Sequence, residues 1–152
     1  TKTGASSIID FGCGDGHLAF RILERFPLIR YIGLDISATV IEANKLQALQ
    51  KGLANRATFK TFDISTPWQG EPADCAICMD VLFHIKQLTS FQQVEQNIHN
   101  AAGKVALYSN LNETARDEAK AAHVFYRPSQ LPCTESHVVP VTPNKTFYVH
   151  QR

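Results

Sequence analysis

Residues 8–17 read IIDFGCGDGH: a short apolar run ends in an acid and passes straight into Gly12, Gly14 and Gly16. The whole chain has only eight glycines, so three at alternate positions is a strong concentration. Glycine is costly to order and is favoured where the backbone needs left-handed dihedrals or where something must lie close against it. A strand that breaks into such a turn and continues as a helix suits an α/β sheet with a ligand resting on the turn.

The rest of the chain continues that alternation. Strands are expected at Ser7–Phe11, Tyr31–Asp35, Thr58–Phe62, Cys75–Met79 and Lys104–Ser109. Between them, Leu18, Ile22 and Phe26 fall at helical spacing before Pro27. Ser37 stands where an N-cap is wanted for a helix placing Ala38, Ile41, Ala48 and Leu49 on one side, with Gly52 able to end it. A third helix from about Leu88 to Asn100 would bury Leu88, Phe91, Val94 and Ile98. A weaker helical pattern runs from Glu113 to about His123, with His123, Tyr126 and Arg127 as possible acceptor contacts. The tail HVVPV, TPNK, TFYVH reads as two antiparallel strands around a Pro-Asn turn, and Pro140 favours an edge strand. No repeat or linker interrupts residues 1–152, which read as a single domain.

Composition narrows the function. Apolar content of 44% and charged content of 19% are those of a globular chain, and a net charge of +1 with scattered Lys and Arg offers no nucleic-acid patch. No apolar run approaches the roughly 18–20 residues that cross a bilayer, and no signal-peptide pattern is read at the start of this sequence. The chain starts at Thr1 with the glycine turn eleven residues later, so an N-terminal lid segment is expected to be missing from it. Cys75 and Cys78 have metal-ligand spacing, but residues three apart on a strand face opposite ways. No metal is expected. Buried thiols in a reducing cytoplasm are the better reading, Cys133 included.

The acids at the strand exits identify the ligand. Asp10, Asp35, Asp63 and Asp80 each end or follow one of the first four strands, where an open parallel sheet binds its ligands. Asp35 stands nineteen residues beyond Gly16, the spacing from which a carboxylate takes ribose hydroxyls. Asp63 can accept from an adenine amine, with Ile36 and Ile64 against the faces of the base; Asp-Ile-Ser-Thr-Pro is also ordinary turn chemistry. A dinucleotide turn needs G-x-G-x-x-G, whereas His17 occupies the third position here, and Asp10 and Asp15 would repel a diphosphate. An adenosyl ligand carrying an ammonium group and a sulfonium suits the turn better.

Taken in order, DFGCGDG at 10–16, GLDIS at 33–37, FDI at 62–64 and MDVLFHI at 79–85 resemble the motifs of class I S-adenosylmethionine-dependent methyltransferases. The resemblance covers nearly the whole chain and implies a Rossmann-like, doubly wound sheet of seven strands, mostly parallel with an antiparallel C-terminal pair. It implies S-adenosyl-L-methionine as cofactor and S-adenosyl-L-homocysteine as product. Asp10 and the backbone of Gly12 and Gly14, with Cys13 and Gly16 in the same turn, would face the methionine part, Asp35 would hold the ribose hydroxyls, and Asp63 with Ile64 the adenine. Asp80 to His84 would border the methyl group and the acceptor, with Asp80 and His84 as the candidate catalytic residues. His84 can serve as a base only for a protonated acceptor, and a packed or capping histidine is the plainer alternative.

The acceptor expected is a small molecule, because CMDVLFHI lacks the Asn/Asp-Pro-Pro-aromatic run of many methylases of amino groups on bases or glutamine. Three alternatives stay open: a non-catalytic S-adenosylmethionine-binding or interaction module, an NAD-dependent oxidoreductase, and an RNA or protein methyltransferase. Neither the acceptor atom nor the oligomeric state is legible at this level. Trp68 either shields the adenine edge or anchors its own loop. Tyr108 and Asn110 either face the acceptor or belong to the core.

Overall fold

The computed structural model describes residues 4–111, 135–142 and 145–151. Seven strands form one sheet: β1 (Ser7–Phe11), β2 (Arg30–Asp35), β3 (Ala57–Thr61), β4 (Ala73–Cys78), β5 (Ala102–Leu111), β6 (Glu135–Thr142) and β7 (Lys145–Gln151). Their order is β3-β2-β1-β4-β5-β7-β6. The first five are parallel, whereas β7 runs antiparallel to both β5 and β6. Pro140 lies on β6, the edge strand, close to a register shift, as a residue without an N–H should. The turn at 143–144, the helical pattern of 113–123, and His123, Tyr126, Arg127 and Cys133 lie outside the described residues.

Among the described residues, three helices cover the sheet: α1 (His17–Arg25), α2 (Ala38–Gln50) and α3 (Leu88–Ala101). Side chains alternate across each strand, so Ile9 and Phe11 pack with α3 residues Phe91, Val94 and Ile98. Tyr31, Ile77 and Phe59 pack on the opposite side with Phe20, Leu23 and Ile41 of α1 and α2. Cys78 joins the first core and Cys75 borders the second, so their thiols point to opposite faces of β4. Ser37 caps α2, its hydroxyl accepting from Val40 N at 3.4 Å, and Gly52 follows the helix at φ 68°.

The apolar stripes correct two expectations, in α2 and α3, and show where the stripe of α1 lies. In α1 the inward residues are Ala19, Phe20 and Leu23, while Leu18 and Phe26 remain more than a third exposed. Leu18, Ile22 and Phe26 instead line an apolar groove of about 620 Å³ over the β4–β5 face. The helix is apolar on two sides, and period alone selects only one of them. In α2, Ala38 and Leu49 face outward, and the buried positions are Ile41, Asn44 and Ala48. In α3, Leu88 at the first turn is half exposed. No helix among the described residues is long and apolar enough to cross a membrane.

Candidate cofactor cleft

The glycine turn is built by backbone geometry. Gly12, Gly14 and Gly16 have φ of 86°, 51° and 75°, a region that costs other residues roughly 1–2 kcal/mol. The N–H groups of Gly12 and Cys13 both donate to Leu34 O, at 2.7 and 2.9 Å, which fastens the turn to the end of β2. A methyl group on Gly12 would fall 2.5 Å from Val81 Cγ2, whereas one on Gly14 would meet no atom within 4 Å. Gly12 is therefore small for the protein's sake. Gly14 opens onto the cleft. Gly12→Ala is expected to destabilise the fold by about 3 kcal/mol, combining backbone strain with overpacking, as read by urea unfolding.

Asp35 closes the next part of the wall. Its Oδ2 accepts from Gly14 N at 3.0 Å and its Oδ1 from Ser37 N at 2.9 Å, so one carboxylate joins the glycine turn to the start of α2. Each oxygen keeps a lone pair for a ligand hydroxyl. Asp63 Oδ1 accepts from both the N–H and the hydroxyl of Ser65, at 2.9 and 2.7 Å. Those two bonds hold its carboxyl below the usual carboxylate range, ionised at neutral pH, with Oδ2 unused by them. Ile36 is 69% exposed, and it lines the same cleft as Ile64. Two apolar side chains in an open, otherwise acidic cleft suit a flat base.

Asp15 decides what the turn can hold. Its Oδ1 accepts from His17 N at 3.0 Å, at the first residue of α1. A free helix N-terminus is a seat for a pyrophosphate. Here the protein's own carboxylate takes the first of those N–H groups, and its charge opposes a diphosphate.

Of the site residues expected from sequence, the cleft of about 570 Å³ gathers Gly12, Cys13, Gly14, Asp35, Ile36, Asp63, Ile64 and Asp80. Gly16, Asp10 and His84 do not line it. Gly16 caps α1 beneath Phe20 and Asn44. Asp10 is 2% exposed, accepts a short hydrogen bond from Tyr31 OH, and leaves Oδ1 with no partner among the described residues. Burial pushes its carboxyl up to about 7 against the lowering effect of Tyr31, with Asp35 adding to the rise. His84 is exposed at the end of a 3-10 turn (Leu82–His84), its ring 4.5 Å from that of Phe83.

Sequence reasoning missed the residues that hold the wall in place. Asn44, 1% exposed on α2, donates to Gly14 O at 2.8 Å. Asn97, fully buried on α3, donates to Ile64 O and Thr66 O at 2.8 and 2.7 Å and accepts from Trp68 N at 2.9 Å. Each is a polar residue standing in an apolar helical stripe, which was the available signal. Trp68 anchors its loop, packing edge-on against Phe11 and Phe62 at 5.9 and 5.4 Å. Tyr108 is core, its hydroxyl 2.9 Å from His150 Nε2, and Asn110 is buried beside it on β5.

A methyltransferase-domain family model matches residues 9–106, which include the glycine turn, the first four strand-end acids and most of the sheet. The chain belongs to that family, and the fold and motifs make it a class I S-adenosylmethionine-dependent methyltransferase domain with S-adenosylmethionine as cofactor. It is 27% identical over 109 residues to the ubiquinone biosynthesis O-methyltransferase of Pectobacterium carotovorum, covering 72% of this chain and 44% of that protein. The O-methyltransferase of a trans-AT polyketide multienzyme from Brevibacillus brevis, solved with S-adenosyl-L-homocysteine, is 25% identical with a TM-score of 0.64, covering 73% of this chain and 36% of that one. The methyltransferase domain of bacterial CtHen1-C shares the fold over 99% of this chain and 91% of that one, at 15% identity and a TM-score of 0.74. The chain spans less than half the length of the curated relatives it matches.

Proposed function

We propose that this domain transfers the methyl group of S-adenosylmethionine to a small-molecule acceptor. The observation that carries the cofactor half is the hydrogen bond from His17 N to Asp15 at the start of α1, which sets a carboxylate where a diphosphate would rest, in a cleft that Asp35, Asp63 and Asp80 also line. S-adenosylmethionine would supply an activated methyl on a cationic sulfur. The chain's own residues bind and orient it: Asp35 accepts from the ribose hydroxyls, Ile36 and Ile64 flank the base, and Asp63 Oδ2 accepts from its amine. Asp10 and Gly16 support the turn from outside the cleft, Asp10 with one buried oxygen that has no partner among the described residues. Holding donor and acceptor in contact supplies most of the acceleration in such a displacement. Asp80 lies on the wall where the acceptor would approach. His84 lies beyond that wall, so it acts as a base only for an acceptor that extends to the 3-10 turn.

A small acceptor is favoured by the net charge of +1 and by the O-methyltransferase relatives. Free thiols at Cys13, Cys75 and Cys78 support a cytoplasmic setting. Incubation with methyl-labelled S-adenosylmethionine and panels of small hydroxyl, amine and thiol compounds, transfer RNA and peptides tests the acceptor class. Label in a small compound supports the proposal. Label only in RNA or peptide overturns it, and a bound cofactor that is never consumed favours a non-catalytic module. Asp35→Ala is expected to weaken S-adenosylmethionine binding at least about tenfold, because ribose contact and turn anchoring are lost together. Unchanged calorimetric affinity in a folded variant would remove Asp35 from the site.

A further inference from the structure

Asp80 is the one non-glycine residue among those described with a left-handed backbone, at φ 59°. Three contacts hold it there. Its N–H donates to Ser109 Oγ at 2.7 Å, and the same hydroxyl donates to Asp80 Oδ1 at 3.0 Å. Lys145 Nζ lies 2.6 Å from the other oxygen, Oδ2. Ser109 is fully buried on β5, and Lys145 opens β7 beyond it, so three strands meet at one carboxylate. Neither Ser109 nor Lys145 lines the cofactor cleft. Asp80 does, and it also borders the apolar groove, together with Leu18 and Met79. A residue in a sparsely populated backbone region whose N–H and both carboxylate oxygens are all held is over-determined, and such residues cluster at functional sites.

We propose that Asp80 is the residue that distinguishes the cationic sulfonium of the methyl donor from the neutral thioether of the product. In this assignment Ser109 is its positioning residue and Lys145 its counter-charge. The assignment rests on the cofactor reading above and goes beyond it. The two ligands differ by a methyl group and a positive charge, so a carboxylate at the cleft wall changes their affinity ratio, whereas a merely structural wall moves both together. The ammonium of Lys145 moderates that preference. Without it, the acid would hold the donor more strongly relative to the product.

The test is calorimetric titration of the chain with S-adenosylmethionine and S-adenosylhomocysteine in parallel. Asp80→Asn keeps the shape and a side chain at home in the left-handed region. It is expected to weaken the donor about fivefold while leaving the product within about twofold. Ser109→Ala is expected to move the ratio the same way by about threefold, and Lys145→Met to move it oppositely by a similar factor. In the wild type, raising the ionic strength should narrow the ratio, a readout that needs no variant to fold. If both ligands bind the wild type but neither salt nor Asp80→Asn moves their ratio, the charge-sensing assignment falls and the cofactor reading stands. If Lys145→Met moves the ratio in the same direction as Asp80→Asn, Lys145 is not a counter-charge and the assignment is overturned as stated. If the wild type binds neither ligand, the cofactor reading falls and this assignment falls with it.

Discussion

Asn97→Ala is expected to lower the unfolding free energy by about 4 kcal/mol. Its amide donates to two backbone carbonyls, and its oxygen accepts from Trp68 N and from Gln93 Nε2 at 3.0 Å. Alanine removes all four bonds and strands three backbone groups of the loop after β3. A typical bond contributes only about 1 kcal/mol net, but an abandoned buried partner costs about 1–3. The same loop carries Asp63 and Ile64, so cofactor affinity is expected to fall with stability. Urea unfolding followed by circular dichroism measures the first effect and calorimetric titration the second. A loss below about 1 kcal/mol would mean that the loop holds itself without the helix.

The second large effect is a pH dependence centred on Asp10. An unfolded aspartate titrates near 3.9, whereas burial brings this one to about 7 in the fold. Between those values the folded chain binds the extra proton, so the contribution is complete below about pH 4 and is lost as pH rises through 7. A gap of that size amounts to about 4 kcal/mol once both states are ionised. Asp10→Asn, which cannot ionise, is expected to lose this slope. The difference in unfolding free energy between variant and wild type should then move in the variant's favour by about that amount from pH 4 to 8. Parallel denaturation curves across the range check it. A constant difference would mean that Asp10 is ionised in the fold with its charge fully compensated.

Those two residues also show where sequence reading succeeds and where it stops. Strand exits were legible because apolar runs ending in Asp10 and Asp35 coincide with the ends of β1 and β2. Asp63 and Asp80 follow β3 and β4 in the same way. The glycine turn was legible because left-handed dihedrals leave few other choices at positions 12, 14 and 16. The depth of a side chain below that turn was not. Asp10 reads like its neighbours at the rim, yet strand alternation carries it under the turn to Tyr31. Asn44 and Asn97 interrupt apolar helical stripes, but their roles were hidden because the backbone groups they hold lie thirty or more positions away. Asn44 itself lies thirty positions from Gly14. Lys145 was equally hidden: it reaches Asp80 across 65 positions, through a strand order that no local pattern encodes. Leu18, Ile22 and Phe26 had the right period, but the period does not say whether a stripe faces the core or the groove.

The central claim is that this cleft grips an adenosyl sulfonium and cannot seat a pyrophosphate. Titration calorimetry of the chain with S-adenosylmethionine, S-adenosylhomocysteine and NAD tests it most directly. Saturable binding of both adenosyl ligands with no heat from NAD is the predicted result. Tighter binding of NAD than of either adenosyl ligand would contradict it.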